Sequence, residues 1–315
     1  MRKNEEKGGE MKGNYVFPGA VVENIGDPYV LAASDGIYYM YGTSDIASGG
    51  YYVWKSANLK QWALDGVCFE RKNSGWGYKD FWAPEVIEYH QKFYMFYTAR
   101  EEKSDLLKIG VAVSNHPSGP FIDEKKTPIL NVDYAVIDAS IWMEDGGNIY
   151  MYFSRDCSVN VVDGINRSDI YVVELDQEFN QKEEPKFLFS PSQEWEIRSV
   201  EKGWQWNEGP SVIKVDGLYY MTYSGNPFWS FDYSIGLAVS TSPTGPFEKY
   251  GNNPVVYGSR SQKISGPGHN SIFQSHDKSK TYIAYHIHMD SAVGGGKRKA
   301  LISQVEFRDG KMELL

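Results

Sequence analysis

A strand-turn-strand unit recurs five times along the 315 residues, and a chain that repeats itself at long intervals has few ways to fold. The copies are "DGIYYMYGTSD" (35–45), "HQKFYMFYTAR" (90–100), "GGNIYMYFSRD" (146–156), "DGLYYMTYSGN" (216–226) and "SKTYIAYHIHMD" (279–290). Each opens on a polar or Gly-rich turn and continues as an alternating aromatic strand, the signal of a hairpin. With Met40, Met95, Met151, Met221 and Ile283 as matching positions, the intervals are 55, 56, 70 and 62 residues. A third strand candidate follows each hairpin, and two copies share a further Pro-x-Gly-Pro-Phe turn at 117–121 and 243–247. Five repeats of about four short strands describe an all-β chain folded as a five-bladed β-propeller. A β-sandwich gives no reason for five copies in register.

The composition fits strands: 15% of residues are aromatic, with 23 Tyr and 9 Trp. Net charge is −9 and no Lys/Arg stripe appears, which excludes nucleic acid as the expected partner. Cys68 and Cys157 stand alone and read as reduced core residues. No apolar run approaches a membrane span, so no membrane partner is expected. The first residues, "MRKNEEKGGEMKGN", have no apolar signal-peptide region; 1–14 read as a flexible tail, 15–315 as one domain, and the protein as cytoplasmic.

The repeat also aligns carboxylates. Stepping back 13 residues from each matched position reaches Asp27, Trp82, Asp138, Glu208 and Asn270, the last beside His269. In a propeller the first strand of each blade lines the axis, so three acids distant in sequence would converge on one mouth. Like charges brought together oppose folding unless something compensates them, which makes the convergence a site hypothesis. Glycosidic hydrolysis needs a protonated acid and an ionised carboxylate on either side of the bond, with a third carboxylate to raise the acid's pKa. A divalent cation would also suit three acids. Trp82, Trp142, Trp206 and Trp229 tilt the reading toward sugar.

The stretches "GDPYV" (26–30), "FWAPEV" (81–86), "VIDASIW" (136–142), "NEGPSV" (207–212) and "GPGHNSIF" (266–273) resemble glycoside hydrolase family 43. The resemblance covers about residues 16–310. It implies a single catalytic propeller domain that hydrolyses with inversion of configuration. It maps Asp27 to the general base, Glu208 to the general acid and Asp138 to the residue that orients and tunes that acid. It aligns His269 with a histidine that approaches a bound cation, commonly a structural calcium, while the chemistry itself requires no cofactor. Arg298, between Lys297 and Lys299, aligns with an arginine that hydrogen-bonds substrate hydroxyls. Trp82, Trp206 and Phe228 join it as substrate-binding candidates. His286 and His288 share a strand face, but no third ligand for zinc accompanies them.

The family resemblance implies arabinose- or xylose-containing oligosaccharides as substrates. No accessory β-sandwich follows the fifth repeat, which points away from the xylosidases that carry one. An exo-acting α-L-arabinofuranosidase is the first expectation, with β-D-xylosidase and arabinanase as alternatives. A propeller that binds glycans without chemistry, and one whose acids only hold a structural cation, are the readings from other classes. The segment "SPSQEWEIRSVEKGWQW" (190–206) is expected to wall the pocket.

Overall fold

The computed structural model describes residues 15–198, 202–292 and 294–315. The tail expected over 1–14 lies outside the described residues. The chain is all-β, as expected, with two short 3-10 turns and no α-helix among the described residues.

Besides a small sheet of Val161–Val162, Ile165–Arg167 and Trp204–Gln205, whose last two strands pair in parallel, five antiparallel sheets follow one another along the chain. The first holds Ile25–Ala32, Tyr38–Ser44, Gly50–Ser56 and Ala63–Glu70. The second holds Gly77–Tyr89, Lys92–Glu101 and Leu107–Ser114. The third has Val136–Met143, Ile149–Arg155, Asp169–Leu175 and Lys186–Phe189. The fourth has Asn207–Val215, Leu218–Gly225, Ser234–Ser240 and Glu248–Lys249. The fifth pairs Gly268–Gln274, Thr281–His288 and Arg298–Arg308. Val22–Glu23, from the start of the described chain, joins that last strand in the register Val22 to Ala300.

Hydrophobic burial explains the order. Second strands such as Tyr38–Ser44 are covered on both faces, because each sheet packs face to face on its two neighbours. Five cores that join neighbouring sheets result, beside a smaller cluster of Leu107, Ala135 and Ile137. One joins the first and second sheets through Tyr41, Phe69, Met95 and Tyr97. Three more join the second to the third, the third to the fourth and the fourth to the fifth. The fifth core, with Phe273, Ala284, Val30 and Met40, joins the last sheet back to the first. Each matched Met or Ile of the repeat lies in the core shared with the preceding sheet, where full burial stabilises by about 1.5–3 kcal/mol per side chain. The five first strands touch in the same closed cycle.

Candidate active site

Each first strand is kinked at one equivalent point. Asp27, Ala83, Asp138, Gly209 and His269 all have positive φ, between 43° and 61°, and the pairing register shifts beside each of them. A non-glycine residue held there costs roughly 1–3 kcal/mol, and a bulge re-aims the side chains around it. Here the kinks face one another across a cavity lined by Asp27, Asp138, Gly209, His269 and Glu85.

The kinks are fixed by side chains three residues beyond the matched positions, on the second strand of the preceding sheet. The Ala83 amide donates to Thr43 Oγ1 at 2.9 Å, Asp138 to Thr98 Oγ1 at 3.1 Å and His269 to Ser224 Oγ at 2.8 Å. The Asp27 amide donates to His286 Nδ1 at 3.1 Å. The Gly209 amide differs: it donates to Asp138 Oδ2 at 3.1 Å, and Ser154 Oγ has no hydrogen-bond partner.

These equivalences correct the spacing rule. Val30 pairs with Met40 and Ile141 with Met151, but Val86 pairs with Met95, Val212 with Met221 and Ile272 with Ile283. Separation across the hairpin varies, so a fixed step of 13 is right only for Asp27 and Asp138. Ala83 and His269 take the places assigned to Trp82 and Asn270. Glu208 stands one residue before its kink, at Gly209.

The three expected carboxyls nevertheless share one site and differ electrostatically. Burial would raise Asp27, but Arg298, then His269 and His286, override it and hold this carboxyl well below the usual range. Arg298 Nη1 donates to Asp27 Oδ1 at 2.5 Å. Both histidines place Nδ1 3.4 Å from that oxygen. Burial and Arg298 push His286 down to about 3, and burial lowers His269 as well, so both rings are neutral at pH 7. Gly26 makes the arginine's approach possible, because a Cβ there would lie 1.9 Å from the guanidinium carbon.

Glu208 moves the other way. Burial pushes it up to about 8, against the Tyr233 hydroxyl that donates to its Oε1 at 2.8 Å, and the charges of Asp27 and Asp156 add to the rise. Asp138 is also pushed well above the usual range, by burial first and then by Glu208 and Asp27. Asp27 is therefore held ionised while Glu208, across the site, holds its proton at neutral pH. Tyr233 lies close against Gly268, where a Cβ would meet its ring at 2.1 Å.

The aromatic candidates divide. Arg298 lies 5.0 Å over the Phe228 ring, Phe228 meets Trp229 edge-on at 5.2 Å, and Trp229 meets Trp206 at 5.5 Å. Trp204 stacks on Trp206 at 5.9 Å. A continuous wall thus runs from the Asp27–Arg298 pair out to Trp229, which is 40% exposed. Trp82 is half-buried against Leu106, Leu107, Ala135 and Ile137. Trp142 donates to Glu144 and packs on Tyr219 in the core between the third and fourth sheets. In the 190–206 segment, Glu194–Ile197 forms a 3-10 turn with Trp195 buried; residues 199–201 lie outside the described residues.

Among the described residues no three His, Cys, Asp or Glu side chains gather to hold a metal ion. His269 faces Asp27, whose charge Arg298 already offsets, rather than the oxygen cage calcium takes. His288 bonds Ser265 Oγ at 2.9 Å and the Phe228 carbonyl at 2.7 Å, a structural role. Cys68 and Cys157 are buried and free. Residues the spacing missed are Tyr233, Glu85, Asp156, Thr98 and His286 as the acceptor for Asp27. Thr43, Thr98, Ser154, Ser224 and His286 were findable, since each lies three residues past a matched position.

The family model of glycosyl hydrolases family 43 matches residues 20–312. A solved thermostable family-43 glycoside hydrolase is 44% identical, superposes with a TM-score of 0.88, and 96% of each chain is covered. A beta-D-galactofuranosidase of Aspergillus niger is 24% identical over 94% of this chain and 82% of its own length. An extracellular exo-alpha-(1->5)-L-arabinofuranosidase of Streptomyces avermitilis is 23% identical over 86% of this chain, which spans 56% of that relative. Proteins named as a beta-xylosidase and a probable arabinan endo-1,5-alpha-L-arabinosidase are also similar. Matched along almost its whole described length, and with Asp27, Glu85 and Asp138 of its quoted motifs lining one cavity, the chain belongs to family 43 of the glycosyl hydrolases.

Proposed function

We propose that this glycosidase is an inverting, exo-acting α-L-arabinofuranosidase that works on arabinose-containing oligosaccharides, and that its five sheets are the blades of a five-bladed β-propeller. The closed cycle of cores supports the propeller. The opposite displacement of two carboxyls in one site carries the chemistry: Asp27 low, Glu208 raised to about 8.

In this reading Glu208 enters protonated. It gives its proton to the glycosidic oxygen as the bond to the anomeric carbon breaks. Asp27 takes a proton from the water that attacks the opposite face of that carbon, which inverts its configuration. The released sugar keeps the water's oxygen, Asp27 ends protonated and Glu208 ionised, and exchange with solvent restores both. Asp138, bonded to the amide next to Glu208, fixes that residue's backbone. Arg298 keeps Asp27 ionised and lies over the Phe228 ring. The chemistry runs on the chain's own groups.

The test is release of p-nitrophenol from the α-L-arabinofuranoside and the β-D-xylopyranoside, by wild type and Glu208→Gln, with the anomer of the released sugar followed by NMR. Faster arabinofuranoside cleavage with inversion is expected, lost in the folded variant. Faster xyloside cleavage would reverse the substrate assignment, and retention would overturn the roles. No turnover on either would leave arabinan as the last enzymatic substrate to try, and inactivity on it would return the binding-only reading.

A further inference from the structure

Behind Glu208, the fourth sheet buries a complete ion pair. Lys249 Nζ lies 2.6 and 2.8 Å from the two oxygens of Glu196, 2.9 Å from Asn207 Oδ1 and 2.7 Å from the Ser190 carbonyl. The Glu196 side chain is fully buried and that of Lys249 is 8% exposed. The Ser192 and Gln193 amides donate to Glu196 Oε2 at 2.6 and 2.7 Å, and the Tyr223 hydroxyl and Asn207 Nδ2 donate to Oε1 at 2.8 and 3.2 Å.

Stability alone does not call for charges here. Desolvating both ions offsets most of their attraction, and an apolar pair of similar volume often serves as well. A fully bonded pair does fix one geometry. Asn207 is grasped at both ends of its amide, Oδ1 by Lys249 and Nδ2 by Glu196, and its backbone amide donates to the Ser168 carbonyl at 3.2 Å. The next residue is Glu208.

We propose that Glu196 and Lys249 are positioning residues for the proton donor: by clamping Asn207 they aim the Glu208 carboxyl at the leaving oxygen. The inference rests on Glu208 acting as the general acid. A displacement of about 1 Å at such a group lowers rate on the order of 100-fold.

The experiment compares phenyl and dinitrophenyl glycosides of the sugar the wild type cleaves, for Lys249→Met, Glu196→Gln and, as reference, Glu208→Gln. The dinitrophenolate departs without a proton; the phenolate needs one. Both clamp variants should lose roughly 10- to 100-fold in kcat on the phenyl glycoside and about 3-fold or less on the dinitrophenyl glycoside. The basic limb of their pH profile should also move. The ratio of the two substrates is taken within one preparation, so a partly unfolded sample does not alter it. Equal losses on both substrates would overturn the proposal and leave the pair a structural feature. Absence of any leaving-group dependence in Glu208→Gln would overturn Glu208 as the acid, and the clamp's role with it.

Discussion

The Gly209 amide reaches across from the fourth sheet to Asp138 of the third, 3.1 Å from Oδ2. Three other kink amides of the ring donate to a hydroxyl, and Ser154 is the hydroxyl this one bypasses. A buried hydroxyl without a partner costs about 1–3 kcal/mol, so the arrangement trades stability for a carboxyl fixed beside Glu208. Asp138→Asn keeps an acceptor for the amide but removes a carboxyl that repels Glu208 when both are ionised. We expect kcat to fall on the order of 100-fold with little change in melting temperature. The basic limb of kcat/KM should shift to lower pH, because Glu208 then loses its proton more easily. An unmoved limb would count against a tuning role.

The wild-type pH profile follows from the two displaced carboxyls. Activity requires Asp27 ionised and Glu208 protonated. Glu208 lies at about 8, so activity should fall as pH rises through that value. Asp27 is held well below the ordinary range, so the acid limb should appear only in strong acid. A basic limb in the ordinary glutamate range, measured with a stable aryl glycoside, would refute the assignment of Glu208.

Gly26→Ala tests the pairing of Arg298 with Asp27. The added Cβ would occupy the guanidinium's position, 1.9 Å from its central carbon. The arginine is a flexible side chain, so it should swing away with the fold intact. Asp27 would then lose the largest influence lowering its pKa, and the acid limb should rise toward the ordinary aspartate range. We expect kcat/KM to drop about 10- to 100-fold, consistent with loss of one charged hydrogen bond. An unchanged acid limb would show that the arginine does not set the ionisation of Asp27.

Glu85 makes a stability prediction of the opposite kind. Its buried carboxyl is pushed up to about 8 by burial, against the bonds it accepts from the Ile141 amide and Ser140. In the unfolded chain it ionises in the ordinary glutamate range. Folding must therefore hold a proton that the unfolded chain releases, and the resulting loss of stability grows from that range up to about pH 8 and stays constant above it. Glu85→Gln keeps an acceptor for Ile141 and abolishes the penalty. The variant should melt near wild type at pH 4 and higher at pH 8, by the equivalent of a few kcal/mol. Equal melting temperatures at both pH values would sink this account.

Much of the ring was legible because its cause is local: each repeat must bury both faces of an aromatic strand, and the matched Met and Ile positions all lie in inter-sheet cores. The site was legible to within one residue. Hairpin separations of nine, ten and eleven residues, such as Val86–Met95, Val30–Met40 and Ile272–Ile283, slip the register at the kinks. Counting along the chain therefore named Trp82 and Asn270 where Ala83 and His269 stand. Tyr233 and the Lys249–Glu196 pair were hidden for a different reason. They come from outer strands and connecting segments, whose approach to Glu208 depends on tertiary packing rather than on any period.

The aromatic wall sets a prediction about chain length. Trp229 is 40% exposed, held edge-on to Phe228 and Trp206 and backed by Gly294 and Gly295, where added side chains would meet its backbone and Cβ. A ring so placed, outward of the Asp27–Arg298 pair, is suited to stack on a sugar beyond the one being released. Trp229→Ala should then lower kcat/KM about 10-fold on an arabino-oligosaccharide of three or more sugars, in line with loss of one aromatic contact of roughly 1–2 kcal/mol. Cleavage of a methyl or small aryl arabinofuranoside, which ends short of the ring, should change little. Competition between the two substrates in one reaction measures the difference directly. Equal losses on long and short substrates would place Trp229 in the frame of the site rather than along the path of the chain.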